Sequence, residues 1–416
     1  MQISNNLYQS IKKWNILIIV QIELLASSQC ANFINYNIRM VQRVNVKKMW
    51  LTLVAMILIA AVSPVSAFSA APAGNVLSKS QFKELQHNAL LAAEKYVNVV
   101  SQNGFEAWQS ASITYQFPLF DFEDEITSFL FDITNAAGAA GYVVVSAEDS
   151  PVVIESAREG VSPYVSIQKN EKALYVGPTQ YFIKKRDDTY YDIREHASKN
   201  KTNLKSNGSL NGSKKAPETG LDGAEVGLLS APTVGINSVV SYSSKIISTV
   251  PDFSWRKGCS PTSFSNIIWY YRYSQGYTNL LQSTTTSDTL IDVLASSTYM
   301  NTNSSGATGW DDRVNGMKKF WSDRGYTVSV TRNSASFTDH KTEINANRPD
   351  IINVVGDATY SNHDMTGVGF EEYQESTENF KWYRYVIVHD TWNSTPKDVY
   401  IYLPQLSWNE TVKVKP

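Results

Sequence analysis

Residues 255–271 read WRKGCSPTSFSNIIWYY and set one cysteine, Cys259, between a glycine and a Ser-Pro pair at the mouth of an apolar run. Pro261 suits the first turn of a helix, where its missing N–H would have no partner anyway. Phe264, Ile267, Ile268 and Tyr271 then fall at i, i+3, i+4 and i+7, which predicts a single buried stripe. Cys259 stands at the start of that helix. The unpaired N–H groups and the dipole there favour an anion and so lower a thiol's pKa. Gly258 allows close approach of a substrate backbone. A free cysteine is commonly a small buried hydrophobe, but a lone thiol at a helix start in an exported chain reads as a nucleophile.

Export is read from the N-terminus. RVNVKKMWLTLVAMILIAAVSPVSAFSA (43–70) carries Arg43, Lys47 and Lys48, then an apolar run from Met49 to Val62. Val65 and Ala67 fit the small-residue rule for a signal-peptidase cut after Ala67. The run is short of the ~20 residues that span a bilayer, so no stable membrane insertion is expected. Residues 1–39 precede it with a second apolar patch, and translation is expected to begin at Met40 or Met49. The other cysteine, Cys30, is then absent from the exported product, which is read as secreted.

The 416 residues allow about two domains at roughly 100–200 residues each. Hydrophobic residues at 43% and aromatics at 12% are ample for real cores. A formal charge of −2 with no dense basic run argues against nucleic acid as a partner, and none is expected. After the signal peptide (1–67 with the upstream extension), 68–195 reads as one amphipathic helix and then short β-type runs, a small α+β domain with an antiparallel sheet. Residues 196–235 have no apolar period and are crowded with Gly, Ser, Asn and Lys, so they read as an exposed linker open to proteolysis. Residues 236–416 begin helical at Cys259 and turn strand-rich, again α+β.

A thiol nucleophile needs a base, and 236–416 offers His340, His363 and His389. His340 lies in the polar stretch FTDHKTE and reads as solvated surface. His363 opens HDMTGVGFEEY, where its imidazole projects from a strand start into a cleft. In RYVIVHDTW, His389 and Asp390 point to opposite faces of one strand. His363 is therefore taken as base and Asp390 as the group that orients it, with His389 on the back face. Trp310, Trp321, Trp382 and Tyr299 read mainly as core and sheet packing. Neither a metal-ligand cluster nor a phosphate loop is present, and no cofactor is expected.

GCSPTSFSNIIWYY, HDMTGVGF and YVIVHDTW, in that order, resemble the papain-like cysteine peptidases and, within them, the C39-like peptidases. The resemblance implies a papain-like α+β catalytic domain with Cys259 as nucleophile, His363 as base and Asp390 as third member. It also implies hydrolysis of a protein or peptide substrate through a thioester acyl-enzyme. Asp390-Thr391-Trp392 is similar to the papain-type Asn-Ser-Trp, where the tryptophan shields the polar residue. The glutamine that such enzymes carry before the cysteine is missing from 236–258. This leaves the oxyanion to the Cys259 backbone N–H with Ser254, the Trp255 indole or a distant amide. GYVVVSAEDSPVVIESAREGVSPY resembles the pro-domains of streptopain-type secreted peptidases, which implies a zymogen with its own pro-domain as inhibitor. A permanently attached accessory domain is the alternative. For the activity, the alternatives are a cell-wall amidase or transpeptidase using the same dyad, or a secreted binding module on a degenerate peptidase fold.

Overall fold

The computed structural model describes residues 77–204, 214–215, 239–357 and 361–416. The expected signal peptide, Cys30 and most of the expected linker (205–213 and 216–235) lie outside the described residues.

Helix α1 (Lys79–Gln102) starts at a capping box: the Ser78 hydroxyl accepts from the Gln81 backbone N–H, and the Gln81 side chain accepts from that of Ser78. Phe82, Leu85, Ala89, Ala93, Tyr96 and Val100 recur at helical spacing and are buried. They pack against a meander of β1 (Ser112–Phe120), β2 (Glu125–Asn135), β3 (Gly138–Ser146) and β4 (Val153–Ala157). Consecutive residues Ile126–Phe131 are all buried, so β2 is covered on both faces. Four short strands follow: β5 (Lys172–Tyr175), β6 (Tyr181–Lys184), β7 (Tyr190–Asp192) and β8 (Ala197–Lys199). Strand β8 pairs with β7, and β9 (Lys214–Lys215) pairs with β2.

The second half runs β10 (Val239–Ile246), α2 (Cys259–Ser274), α3 (Ser287–Ala295), α4 (Trp310–Ser322), β11 (Ser329–Ser334), α5 (Phe337–Asn345) and β12 (Asp350–Asp357). Then come β13 (Ser361–Glu375), β14 (Lys381–His389), β15 (Val399–Tyr402) and β16 (Trp408–Lys415). The fold is α+β. Strand β13 is its spine: β14 pairs along one side, while the other side takes β12 up to Gly367 and β10 from Gly369 onward.

Among the described residues the two halves share one sheet. Its order is β11-β16-β12-β13-β14-β15-β4-β3-β2-β1-β5-β6-β7-β8, and the joint is β15 against β4, Val399–Ile401 facing Ala157–Glu155. Each strand covers what would otherwise be the other's open edge. The Tyr385 hydroxyl donates to the Val153 carbonyl at 3.0 Å across the same joint. Behind it Arg158 and Glu371 form a buried ion pair that Tyr96 and Tyr242 also join.

Candidate active site

Helix α2 is not a simple amphipathic helix. The stripe Phe264, Ile267, Ile268 and Tyr271 is buried, but so are Ser260, Thr262, Ser263, Ser265 and Asn266. The polar residues fasten it to the spine. Ser260 Oγ donates to the Asp364 carboxylate at 2.6 Å, and Ser263 Oγ donates to the Asp364 carbonyl at 2.9 Å. Asn266 Nδ2 donates to Thr366 Oγ1 at 3.0 Å. Positions 260, 263 and 266 run along one helix face, and 364 and 366 share one face of the strand. That register sets the start of α2 beside the start of β13.

Cys259 and His363 consequently line one cleft of about 360 Å³ with Trp255, Ser260, Ser305–Thr308, Trp310, Arg313, Asn353, Asn362 and Asp364. As the first residue of α2, Cys259 has an N–H with no partner inside the helix, which fits an oxyanion donor. Trp255 borders the cleft. Ser254 does not, and its exposed hydroxyl bonds to Asn393. The backbone that approaches Gly258 is the protein's own. A Cβ on Gly258 would lie 2.5 Å from the Gly306 carbonyl oxygen, and one on Gly306 would lie 2.9 Å from the Trp255 ring.

His363 is buried, and its Nε2 donates to the main-chain carbonyl of Asp390 at 3.0 Å. That bond makes Nδ1 the basic nitrogen of the neutral ring. The Asp390 carboxylate turns elsewhere, accepting from the Trp392 N–H (2.9 Å) and the Thr395 hydroxyl (2.7 Å), while its Oδ2 is buried without a partner. Burial pushes its carboxyl up to about 7; those two hydrogen bonds lower it, Glu155 raises it and Arg194 lowers it. Trp392 stacks on His363, ring centroids 5.4 Å apart at 14°, and on Trp255 at 6.2 Å and 11°. Its ring therefore shields the imidazole itself.

The other two histidines hold structure. His389 lies on the back face, bonded to the Pro251 carbonyl and the Asp398 carboxylate, both at 2.9 Å. His340, expected at the solvated surface, is instead fully buried on α5. Its Nδ1 meets both oxygens of Asp350 at 3.0 Å, and its Nε2 meets the Gly369 carbonyl at 2.8 Å. The polar run FTDHKTE concealed this because one helix turn faces inward. Phe337, His340 and Ile344, at i, i+3 and i+7, form the buried stripe. Of the aromatics, Trp310 borders the cleft beneath the Arg313 guanidinium (4.4 Å), and Trp321 is core.

Sequence reasoning missed Asp364. Its carboxylate accepts from Ser260, from Arg313 (2.5 Å) and from Asn353 Nδ2 (2.7 Å), and Arg313 also pairs with Glu410. Burial opposes its charge, but Arg313 and these hydrogen bonds hold its carboxyl below the ordinary value. The thiol responds the other way from expectation. Burial pushes Cys259 up to about 12, the Asp364 carboxylate adds to the rise, and hydrogen bonds from Asp364 and Ser260 only partly offset it. The helix start is outweighed.

This helix-on-strand site, with cysteine and histidine on one cleft, lies in a segment that matches a known family: residues 243–416 fit the family described as Peptidase_C39 like. That part of the chain is similar to the C39-like family. Among curated proteins none matches the chain. The C39-like segment supports a peptidase and contains the whole cleft lining. Among the described residues no group of three or more His, Cys, Asp or Glu could hold a metal ion, and no helix is long and apolar enough to cross a membrane.

Proposed function

We propose that the protein is a cysteine peptidase. The observation that carries this is Cys259, at the first position of α2, sharing a cleft with His363 inside the C39-like segment. His363 Nδ1 takes the thiol proton. The Cys259 sulfur then bonds to the substrate carbonyl carbon, and the peptide C–N bond breaks as His363 returns that proton to the departing amine. Water, deprotonated by His363, attacks the thioester, and the thiol is regenerated as the acid product leaves. The Cys259 N–H meets the oxyanion at both stages. A thiol pushed up to about 12 makes the thiolate dependent on its imidazolium partner. Asp390 fixes the imidazole tautomer through its carbonyl.

The chain is further proposed to be exported through residues 43–67 and made as a precursor cut in the 196–235 linker. Every lining residue of the cleft falls between 255 and 364. The test is cleavage of denatured casein by the intact chain, by the chain nicked within 216–238, and by Cys259→Ala in both forms. If neither wild-type form exceeds its Cys259→Ala counterpart, the peptidase reading falls.

The raised thiol favours one second reading, a secreted binding module with an inert cysteine. Iodoacetamide separates the two: a paired thiolate alkylates quickly well below pH ~8, and an inert thiol does not.

A further inference from the structure

Among the described residues the cleft lining lies within the C39-like segment, yet the ring behind its histidine is held from outside that segment. Trp392, stacked on His363, receives a guanidinium from the other half of the chain: Arg194 Cζ lies 5.3 Å from the Trp392 ring centroid. Arg194 follows β7 and is itself buried. Asp192 braces it, accepting from the Arg194 backbone N–H at 3.0 Å and from Nε and Nη2 at 3.3 Å. Asp192 also takes Lys199 from β8 at 3.0 Å. A planar cation held this firmly against an indole face fixes where the indole sits.

We infer that the N-terminal half is a lasting part of the working enzyme, in which Arg194 is a positioning residue that holds Trp392 against His363. Three further features keep that half in place. Strands β4 and β15 pair by backbone hydrogen bonds, and the Arg158–Glu371 pair is buried between them and β10. Arg158 also lies 4.0 Å above the Tyr400 ring. Lys95 on α1 reaches Glu375 at the end of the spine, at 2.8 Å. Separating the halves would expose two strand edges and strand a buried arginine, a buried glutamate and Arg194. Cutting the linker therefore leaves a two-piece enzyme and does not release the N-terminal half.

This rests on the peptidase reading for its rate measurement only. The experiment introduces a specific protease site within 216–238 and makes the nicked protein as wild type, Arg194→Lys and Arg194→Met. Nicked wild type is expected to elute as one species with both fragments present. Arg194→Met is expected to lower kcat about tenfold with KM changed less than about twofold, since a misplaced imidazole affects the chemical step more than binding. Arg194→Lys, keeping the cation, is expected to recover most of that loss. Alkylation of Cys259 by iodoacetamide at one fixed pH is expected to slow in Arg194→Met and recover in Arg194→Lys. That readout stands even if no peptide is cleaved, so it separates failure of this inference from failure of the peptidase reading. Fragments that part on the column overturn it, and so does an Arg194→Met enzyme with wild-type kcat and wild-type alkylation. Should Arg194→Met not fold, Arg194→Gln, which keeps a hydrogen-bond donor for Asp192, takes its place under the same criteria.

Discussion

His363 donates through Nε2 to the main-chain carbonyl of Asp390, 3.0 Å away, while the Asp390 carboxylate faces Trp392 and Thr395. A backbone carbonyl survives any substitution of its own side chain. Asp390→Asn is therefore expected to keep kcat/KM within about fivefold of wild type, where loss of a carboxylate that itself held the imidazole costs about 10⁴. The same variant tests linkage. Burial raises this carboxyl to about 7, against an ordinary value near 3.9 in the unfolded chain. Between those values the folded state holds a proton that the unfolded state has released, so stability falls as pH rises from about 4 to about 7. Thermal melting across that window should show a flatter pH dependence in Asp390→Asn than in wild type.

Asp364 bonds Ser260 at the start of α2 and Arg313 across the cleft, and its charge raises the Cys259 thiol. Asp364→Asn keeps an acceptor for Ser260 but removes the charge. The iodoacetamide rate profile of Cys259 should move to lower pH by about one unit, the low end for removing a neighbouring like charge. Arg313, left with Glu410 alone, should cost stability of about 1–3 kcal/mol by denaturant unfolding. An unmoved alkylation profile would show that Asp364 acts on the thiol by packing only.

The motif residues were legible because each lies within one local pattern. Gly-Cys-Ser-Pro-Thr marks a helix start, and alternation in HDMTGVGF and RYVIVHDTW marks strands with a defined inner face. The α+β class and strands β1 to β7 follow from short β-type runs bounded by Gly, Asn, Asp and Pro. What local pattern does not carry is which atom of a residue does the work, or what arrives from far along the chain. Nothing in VIVHDTW distinguishes the Asp390 carbonyl from its carboxylate. Arg313 reaches Asp364 from 51 residues away, and Glu410 reaches Arg313 from 97 residues away, read from the numbering. His340 was hidden for another reason. A buried histidine–carboxylate pair inside a short helix has the composition of a surface segment, and only the inward stripe of Phe337 and Ile344 signalled otherwise.

His340 and Asp350 form a buried pair in which Nε2 donates to the Gly369 carbonyl and Nδ1 shares a proton with the Asp350 carboxylate. Burial opposes the charge, but the Asp350 carboxylate and the hydrogen bonds raise the imidazole above its ordinary value. A raised folded pKa gives stability that is present in full below about 6.5 and is lost as pH rises through the folded value. His340→Leu leaves Asp350 buried without its cation and should cost about 3–5 kcal/mol at pH ~6. The gap between wild type and variant should narrow as pH rises through the folded value in denaturant titrations. Activity per folded molecule should be unchanged, since His340 does not line the cleft.

Gly258 precedes Cys259, and the Gly306 carbonyl closes over it so tightly that an added Cβ would stand 2.5 Å from that oxygen. The nearest obstacle is backbone, with the Thr302 methyl next at 3.0 Å, so side-chain rotation alone does not relieve it. Either the 303–307 turn retreats or the start of α2 shifts, and the turn is tied by the Asn303 carboxamide to the N–H groups of Ser305 and Ala307. Gly258→Ala should therefore displace Cys259 from its register with His363. A displacement near 1 Å costs about 10²-fold in rate, and the loss should fall on kcat more than on KM. Gly276→Ala is the matched control: Gly276 follows the far end of the same helix with nothing within 4 Å of its Cβ, although its φ of +81° adds backbone strain. That control should lower the melting temperature and leave kcat near wild type. If Gly258→Ala does only the same, the close approach at Gly258 does not set the position of the thiol.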